Sequence, residues 1–368
     1  MGGSSHGLGV AMRIQLAIPA LSLALVSACT EIPDTNDDLS DDTLTRAERL
    51  EQLLSILASD SMQGRKTGTL GSTKAALFLA NELERYGLDP AGDNGFFQNV
   101  PLARIQVDGP NGPRERLMLP SPSLDFDELP AENIIENEVN VVALIPGSDP
   151  SVANEGVVIG AHYDHVGIGP PIDGDSIYNG ADDDGSGTVA ILEIARDLAR
   201  NNRPRRTVII LLSTAEEMGL LGTRWYIENP VFPLEQTVAD FQIEMIGRPD
   251  SLAGGFGRGW LTGFERTTMG EQLVNKGSPI VPDPRPDQNF FFRSDNIAFA
   301  RIGIPAHTLS SYNLHDDYHR PSDEVQYIDF DHMAAIVEAA VEAVRILANG
   351  PRPNWVEGGM DGLTGNTP

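Results

Sequence analysis

Asn179-Gly-Ala-Asp-Asp-Asp-Gly-Ser-Gly187 leads directly into a helix-like run at 188–199 and lies between two short β-rich runs, 157–160 and 207–212. A further apolar run at 141–145 and a helix-like run beginning near Met218 continue the rhythm. Strands and helices that alternate at these lengths argue for an α/β fold. The expected architecture is a mixed, largely parallel central sheet with helices on both faces, in a single domain. Three adjacent carboxylates repel one another, and the usual compensation is one or two divalent cations. Gly185 and Gly187 let the backbone turn sharply, and the helix that follows offers its first N–H groups to anions. Taken alone, the stretch fits a solvated acidic turn capping a helix more often than a metal site.

The other polar residues fall where strands should end. The run 157–161 passes into His162-Tyr-Asp-His165, and 208–212 passes into Ser213-Thr-Ala-Glu-Glu217. The run 238–243 passes into Glu244-Met-Ile-Gly247, and 304–309 leads to His315-Asp-Asp-Tyr-His319. In open α/β sheets ligands gather at the carboxyl ends of the strands. Imidazole nitrogen with carboxylate oxygen suits zinc above other ions, and one bridging carboxylate can hold two of them. Two such ions can grip a water and a substrate oxygen together.

His162-Tyr-Asp, Gly180-Ala-Asp-Asp-Asp-Gly-Ser-Gly187, Ala215-Glu-Glu-Met-Gly-Leu-Leu-Gly222, Glu244-Met-Ile-Gly247 and Tyr318-His319 resemble, in order and spacing, the co-catalytic zinc aminopeptidases of peptidase family M28. Gly64-Arg-Lys-Thr-Gly68 and the stretch 294–305 also resemble that family, and the likeness covers roughly 45–348. It implies the zinc-exopeptidase (phosphorylase/hydrolase-like) fold as one catalytic domain, peptide substrates, and two Zn2+ ions bridged by Asp183. His162 and Glu244 would hold one ion, Glu217 and His319 the other. The resemblance makes Glu216 the general base, Tyr318 a hydrogen-bond donor to the oxyanion, and Asp164 the carboxylate that orients His162. It also implies a cis bond between Asp183 and Asp184, with Asp182 outside the metal ligands. Glu244 stands where most relatives carry Asp, a ligand of the same charge that is one methylene longer. His165, His307, His315 and His332 match no ligand position, although His165 and His315 are placed to border the pocket. Asp295 fits either a ligand-orienting role or a turn cap, and Glu193 reads as a solvated helix charge.

Three other functions compete with an aminopeptidase. They are glutaminyl-cyclase-like acyl transfer on the same fold, an M28-type carboxypeptidase or dipeptidase, and a non-catalytic binding domain. The resemblance gives the cyclases a single zinc, so a complete set of ligands argues against that reading. A calcium loop at Asp182–Asp184 fails on spacing, because its register would begin at Gly180 and end at Ile191.

A net charge of −27 over 368 residues argues against nucleic acid and anionic membrane surfaces as partners. Residues 1–28 have the form of a signal peptide, with Met12-Arg13, an apolar run at 14–26 and Val26-Ser-Ala-Cys29. That box resembles the bacterial lipoprotein type. It makes Cys29, the one cysteine of the chain, the expected lipidated residue, and the lipid the expected membrane anchor. The expected location is the cell envelope of a bacterium, on the outer membrane facing the periplasm. Residues 30–41 read as a flexible linker and 42–350 as the peptidase-like domain. Apolar spacing predicts helices at 44–57, 72–86 and 330–348. Excursions at about 98–135 and 248–293 break the rhythm. The first reads as an edge hairpin, the second as a pocket lid or a surface excursion, and 351–368 as a loose tail.

Overall fold

Alternate residues of the central strands belong to different cores, as a sheet covered on both faces requires. Val157, Ile159 and Ala161 pack with Val208, Ile210 and Leu212 on one side. Val158, Ile209 and Leu211 pack on the other. The computed structural model describes residues 43–109, 112–201 and 203–363. The expected signal peptide 1–28, Cys29, the linker 30–41 and the end of the tail lie outside the described residues. By its internal packing the chain divides after Thr43, and the unit from Leu44 onward carries every element below.

Its central sheet has nine strands among the described residues. Across the middle run Val139–Ile145, Thr207–Ser213, Gly156–His162, Thr237–Ile243 and Ala306–Ser310. The last four pair in parallel. Val139–Ile145 is antiparallel to its neighbour, so the sheet is mixed and largely parallel as expected.

On the first face lie the helices Arg46–Leu57, Leu70–Arg85, Gly187–Arg200 and Phe330–Asn349. The last buries Met333, Ile336, Val337, Ala340, Val344 and Leu347 completely, a stripe at helical spacing. Each large apolar side chain so buried contributes roughly 1.5–3 kcal/mol. Thr45 and Glu48 form a reciprocal capping box that starts Arg46–Leu57. Tyr226 of Leu221–Glu228 and Ile297 and Phe299 of Asn296–Arg301 cover the opposite face. Among the described residues no helix is long and apolar enough to cross a membrane.

The excursion at 98–135 contains the hairpin Leu102–Gly109 and Gly112–Met118, with Ile134–Ile135 beside it. The excursion at 248–293 is anchored: Trp260–Leu261 adds an antiparallel strand beside Ala306–Ser310, and Trp260 is buried against Phe290.

Two expectations need correction. Glu193 is not solvated: it is buried and takes two 2.8 Å hydrogen bonds from Arg49, because its helix turns that side toward Arg46–Leu57. The tail is not loose over 351–363. Trp355 pairs with Thr267 and donates to the Gly303 carbonyl at 2.7 Å, while Leu363 packs into the second core.

Candidate metal centre

Four adjacent parallel strands deliver their polar residues to one edge. His162 is the last residue of its strand, Glu216 and Glu217 follow Ser213, and Glu244 follows Ile243. His319 arrives from the loop after Ser310. These segments turn sharply without glycine: Ala215, Met245 and His319 all have left-handed φ, near +55°, +52° and +54°. Each such residue costs on the order of 1–3 kcal/mol, which the surrounding contacts must offset.

The triple Asp separates into three roles. Asp183 and Asp184 are joined by a cis bond. Asp182 accepts from Gly247 N–H at 2.7 Å and Ser186 Oγ at 3.1 Å, and lies 3.0 Å from His315 Nε2, so it ties three loops together outside the metal-facing group. Asp184 Oδ1 accepts from Gly187 N–H (2.9 Å) and Met245 N–H (3.1 Å). Asp183 presents both carboxylate oxygens to imidazoles. Oδ1 is 3.5 Å from His162 Nε2 and Oδ2 is 3.0 Å from His319 Nε2. The glycines serve close approach as much as turning. A Cβ on Gly187 would collide with the Ile243 carbonyl and the Asp184 carboxylate, and Gly180, at φ +56°, backs onto the His165 ring.

Ligand atoms of His162, Asp183 and Glu244 lie within 4.8 Å of one another, and so do those of His165, Asp183, Glu217 and His319. The two groups share Asp183. His162 Nε2, Asp183 Oδ2 and His319 Nε2 are buried and lack well-directed hydrogen-bond partners, as expected of atoms set to face a cation. The donor set and its orphaned atoms fit divalent metal.

So many carboxyl groups cannot all ionise without cations nearby. Burial pushes Glu216 well above the usual carboxylate range and Glu244 up to about 7, in each case against the attraction of His162. Burial also works against ionised Asp183, but His162 and His319 outweigh it and hold that carboxyl well below its ordinary value. Glu217 is held at about 2: burial and Asp183 oppose its charge, and the contacts to His165 and His319 prevail.

Asp164 does not meet His162 as expected. Its main-chain carbonyl, not its carboxylate, lies 3.1 Å from His162 Nδ1, while the nearer carboxylate oxygen is 3.9 Å away. The carbonyl accepts Nδ1–H and leaves Nε2 to face Asp183. The carboxylate instead accepts from Glu216 N–H at 3.0 Å and Thr67 Oγ1 at 3.1 Å, fixing the segment that carries the expected base.

Beneath the centre is a residue to which the sequence assigned no role. Arg65 is fully buried and donates to the carbonyls of Tyr163 (2.8 Å), Leu57 (3.1 Å), Asn179 (2.5 Å) and Gly180 (2.9 Å). It therefore clamps the segment after His162 to the segment before Asp183. Burial pulls its guanidinium down to about 10, still charged at neutral pH and close to Asp323, Asp183 and Asp164. Each buried acceptor left unpaired costs about 1–3 kcal/mol. Arg65→Met should therefore lower the unfolding free energy of the chelator-treated protein by at least about 3 kcal/mol, with partial recovery in Arg65→Lys. Urea unfolding measures it, and an unchanged midpoint in Arg65→Met would remove the clamp.

Tyr318 stacks on His319 with ring centroids 4.0 Å apart. Burial, together with Asp183 and Glu244, pushes its phenol well above 10, so the O–H remains available as a donor. Beside it Glu244 forms one wall of a pocket that Trp260, Thr262, Phe290, Arg293 and Tyr312 also line. Of the two readings of 248–293, the structure favours a segment that shapes this pocket. Asp295 stands at the N-cap of its helix but makes no side-chain cap bond there; its carboxylate accepts from Ser213 Oγ at 2.5 Å and adds to the negative charge around Glu216 and Glu244. His307 and His332 are buried and hydrogen-bonded away from the centre, to Thr262 and Thr267 and to Gly257 and Ser311.

Sequence reasoning placed His165 only at the border of the pocket and passed over Asp323. His165 carried a faint signal, three residues beyond His162. Asp323 carried none, yet it accepts from Asp182 N–H at 3.0 Å and Asp183 N–H at 3.0 Å.

Among proteins of known name, the chain is 30% identical over 227 residues to leucine aminopeptidase 1 of Trichophyton equinum, covering 57% of this chain and 58% of that protein. The chain thus spans little more than half the length of the curated relatives it matches first. Among solved structures it is similar to a zinc aminopeptidase from Bacillus subtilis, with a TM-score of 0.59, 15% identity and coverage of 83% and 96%. It is similar also to Porphyromonas gingivalis glutaminyl cyclase, with a TM-score of 0.54, 17% identity and coverage of 81% and 97%. At these identities the two structures show a shared fold. The family model described as "Peptidase family M28" matches residues 140–344, more than half of the chain and every metal-facing residue above, and the chain belongs to that family.

Proposed function

We propose that this chain is a zinc-dependent exopeptidase, an aminopeptidase that removes N-terminal residues from peptides. The observation that carries the reading is Asp183, whose two oxygens face two separate ligand groups at one sheet edge. In this reading His162, Asp183 and Glu244 would hold one Zn2+ ion and Asp183, Glu217 and His319 a second, with Asp183 common to both. Bound zinc supplies an electrophile that polarises the scissile carbonyl and lowers the pKa of water toward neutrality. Glu216, its main chain pinned by Asp164, accepts the proton of the attacking water and returns it to the leaving amine. Tyr318 donates a hydrogen bond to the oxyanion as charge develops there.

The complete ligand set with its carboxylate base favours hydrolysis over cyclisation. The named leucine aminopeptidases support the amino-terminal direction. Export from a bacterial cytoplasm and a lipid anchor at Cys29 belong to the same proposal and rest on the sequence. Chelation should abolish hydrolysis of a panel of aminoacyl and dipeptide substrates, and added zinc should restore it. A peptide library read from both ends fixes the direction. If the metal-replete protein left every substrate intact, the proposal would fall.

A further inference from the structure

The metal-facing groups are unequal. Three residues, His162, Asp183 and Glu244, form one group, while four, His165, Asp183, Glu217 and His319, form the other. Glu217 Oε1 is 3.0 Å from His165 Nδ1 and 3.1 Å from His319 Nε2. Asp183 Oδ2 is 3.0 Å from His319 Nε2 and 3.8 Å from His165 Nδ1. A tetrahedron with metal bonds of about 2.0–2.1 Å has edges of about 3.3–3.4 Å. The four separations bracket that edge.

The His165 ring is placed, not drifting. It is fully buried, one side lies against Gly180, and it meets the His319 ring edge-on with centroids 5.4 Å apart. Its Nε2 has no hydrogen-bond partner among the described residues, so Nδ1, turned toward Glu217, is the nitrogen that faces the group.

We propose that His165 is a fourth protein ligand, through Nδ1, to the metal held by Glu217 and His319. The inference rests on the reading that the centre binds two ions. It makes the two positions different in kind. Two nitrogens and two oxygens from the protein close the His165 position, as in structural zinc sites. The His162 position has three protein ligands and stays open to water and substrate. Glu216 stands on the open side, with Oε2 3.9 Å from His162 Nε2. The closed position fills first and tightly, and the open one fills second. The competing role for His165 is a simple hydrogen bond from Nδ1–H to Glu217, which the 3.0 Å contact also allows.

Stepwise addition of Co2+ to the metal-free full chain separates the two roles. The first equivalent should give the intense visible absorption of a four-coordinate ion, and the second a weak band of higher coordination. X-ray absorption with a single equivalent of Zn2+ should count two imidazoles. In His165→Gln the first-equivalent band should lose intensity, and chelator competition should show the tight site weakened at least about tenfold. A weak first band, a single imidazole, or a first-equivalent spectrum unchanged in His165→Gln would each overturn the assignment. The function stands or falls separately. Zinc-restored hydrolysis with a single-imidazole first site sinks only the ligand, and a two-imidazole site in a protein that hydrolyses nothing sinks only the peptidase reading.

Discussion

Glu216→Gln should leave the metal content unchanged and lower kcat for peptide hydrolysis about 10²- to 10⁴-fold, the range that a positioned proton acceptor supplies. The amide keeps the size and shape of the carboxyl group but cannot take a proton from water. Nothing that holds metal is removed, because Glu216 is in neither ligand group. Its main-chain bond to Asp164 at 3.0 Å is likewise untouched. Stability should not fall either, since the substitution removes one acid from a buried site already crowded by Glu244, Asp295 and Glu217. Metal analysis beside steady-state kinetics decides the matter. A variant as active as the wild type would take the role of base away from Glu216.

Asp183→Ala should lose metal and activity together. It is the one residue shared by both ligand groups, so a single substitution leaves His162 and Glu244 on one side and His165, Glu217 and His319 on the other. Two protein ligands are too few for a zinc site, so that ion should be lost. The remaining site should weaken by more than the roughly 10- to 100-fold typical of lost supporting contacts. The loop itself should persist, because the main-chain N–H of residue 183 still donates to Asp323 and circular dichroism should be unchanged. Two ions retained at wild-type affinity would disprove the bridge. Read together, the two variants separate proton transfer from metal binding: one keeps the ions and loses the rate, the other loses both.

The order of strands and helices was legible because it is written in local periodicity. Val157, Ile159 and Ala161 alternate with Val158, and Met333, Ile336, Val337, Ala340 and Val344 recur at helical spacing, whatever the rest of the chain does. The end of one helix was legible too: the expected 72–86 closes within a residue of the observed Leu70–Arg85. The buried Arg49–Glu193 pair was not, since Glu193 reads as an ordinary helix charge until the two helices meet. Nor was the docking of Trp355 and Leu363, which needs a surface built by residues far away in sequence.

At the site the division follows the same line. Sequence alone determined which residue types reach the carboxyl ends of the strands, because a strand that stops must place its next residues there. Tertiary structure decided what each one does. It gave the His162 contact to a carbonyl rather than to the Asp164 carboxylate, and set Arg65 beneath the loops. It also turned His165 toward Glu217. The physical reason is that periodicity and turn chemistry act over a few residues, whereas a ligand group is closed by loops converging from positions 162 to 319. Their register is set only when both faces of the sheet are packed.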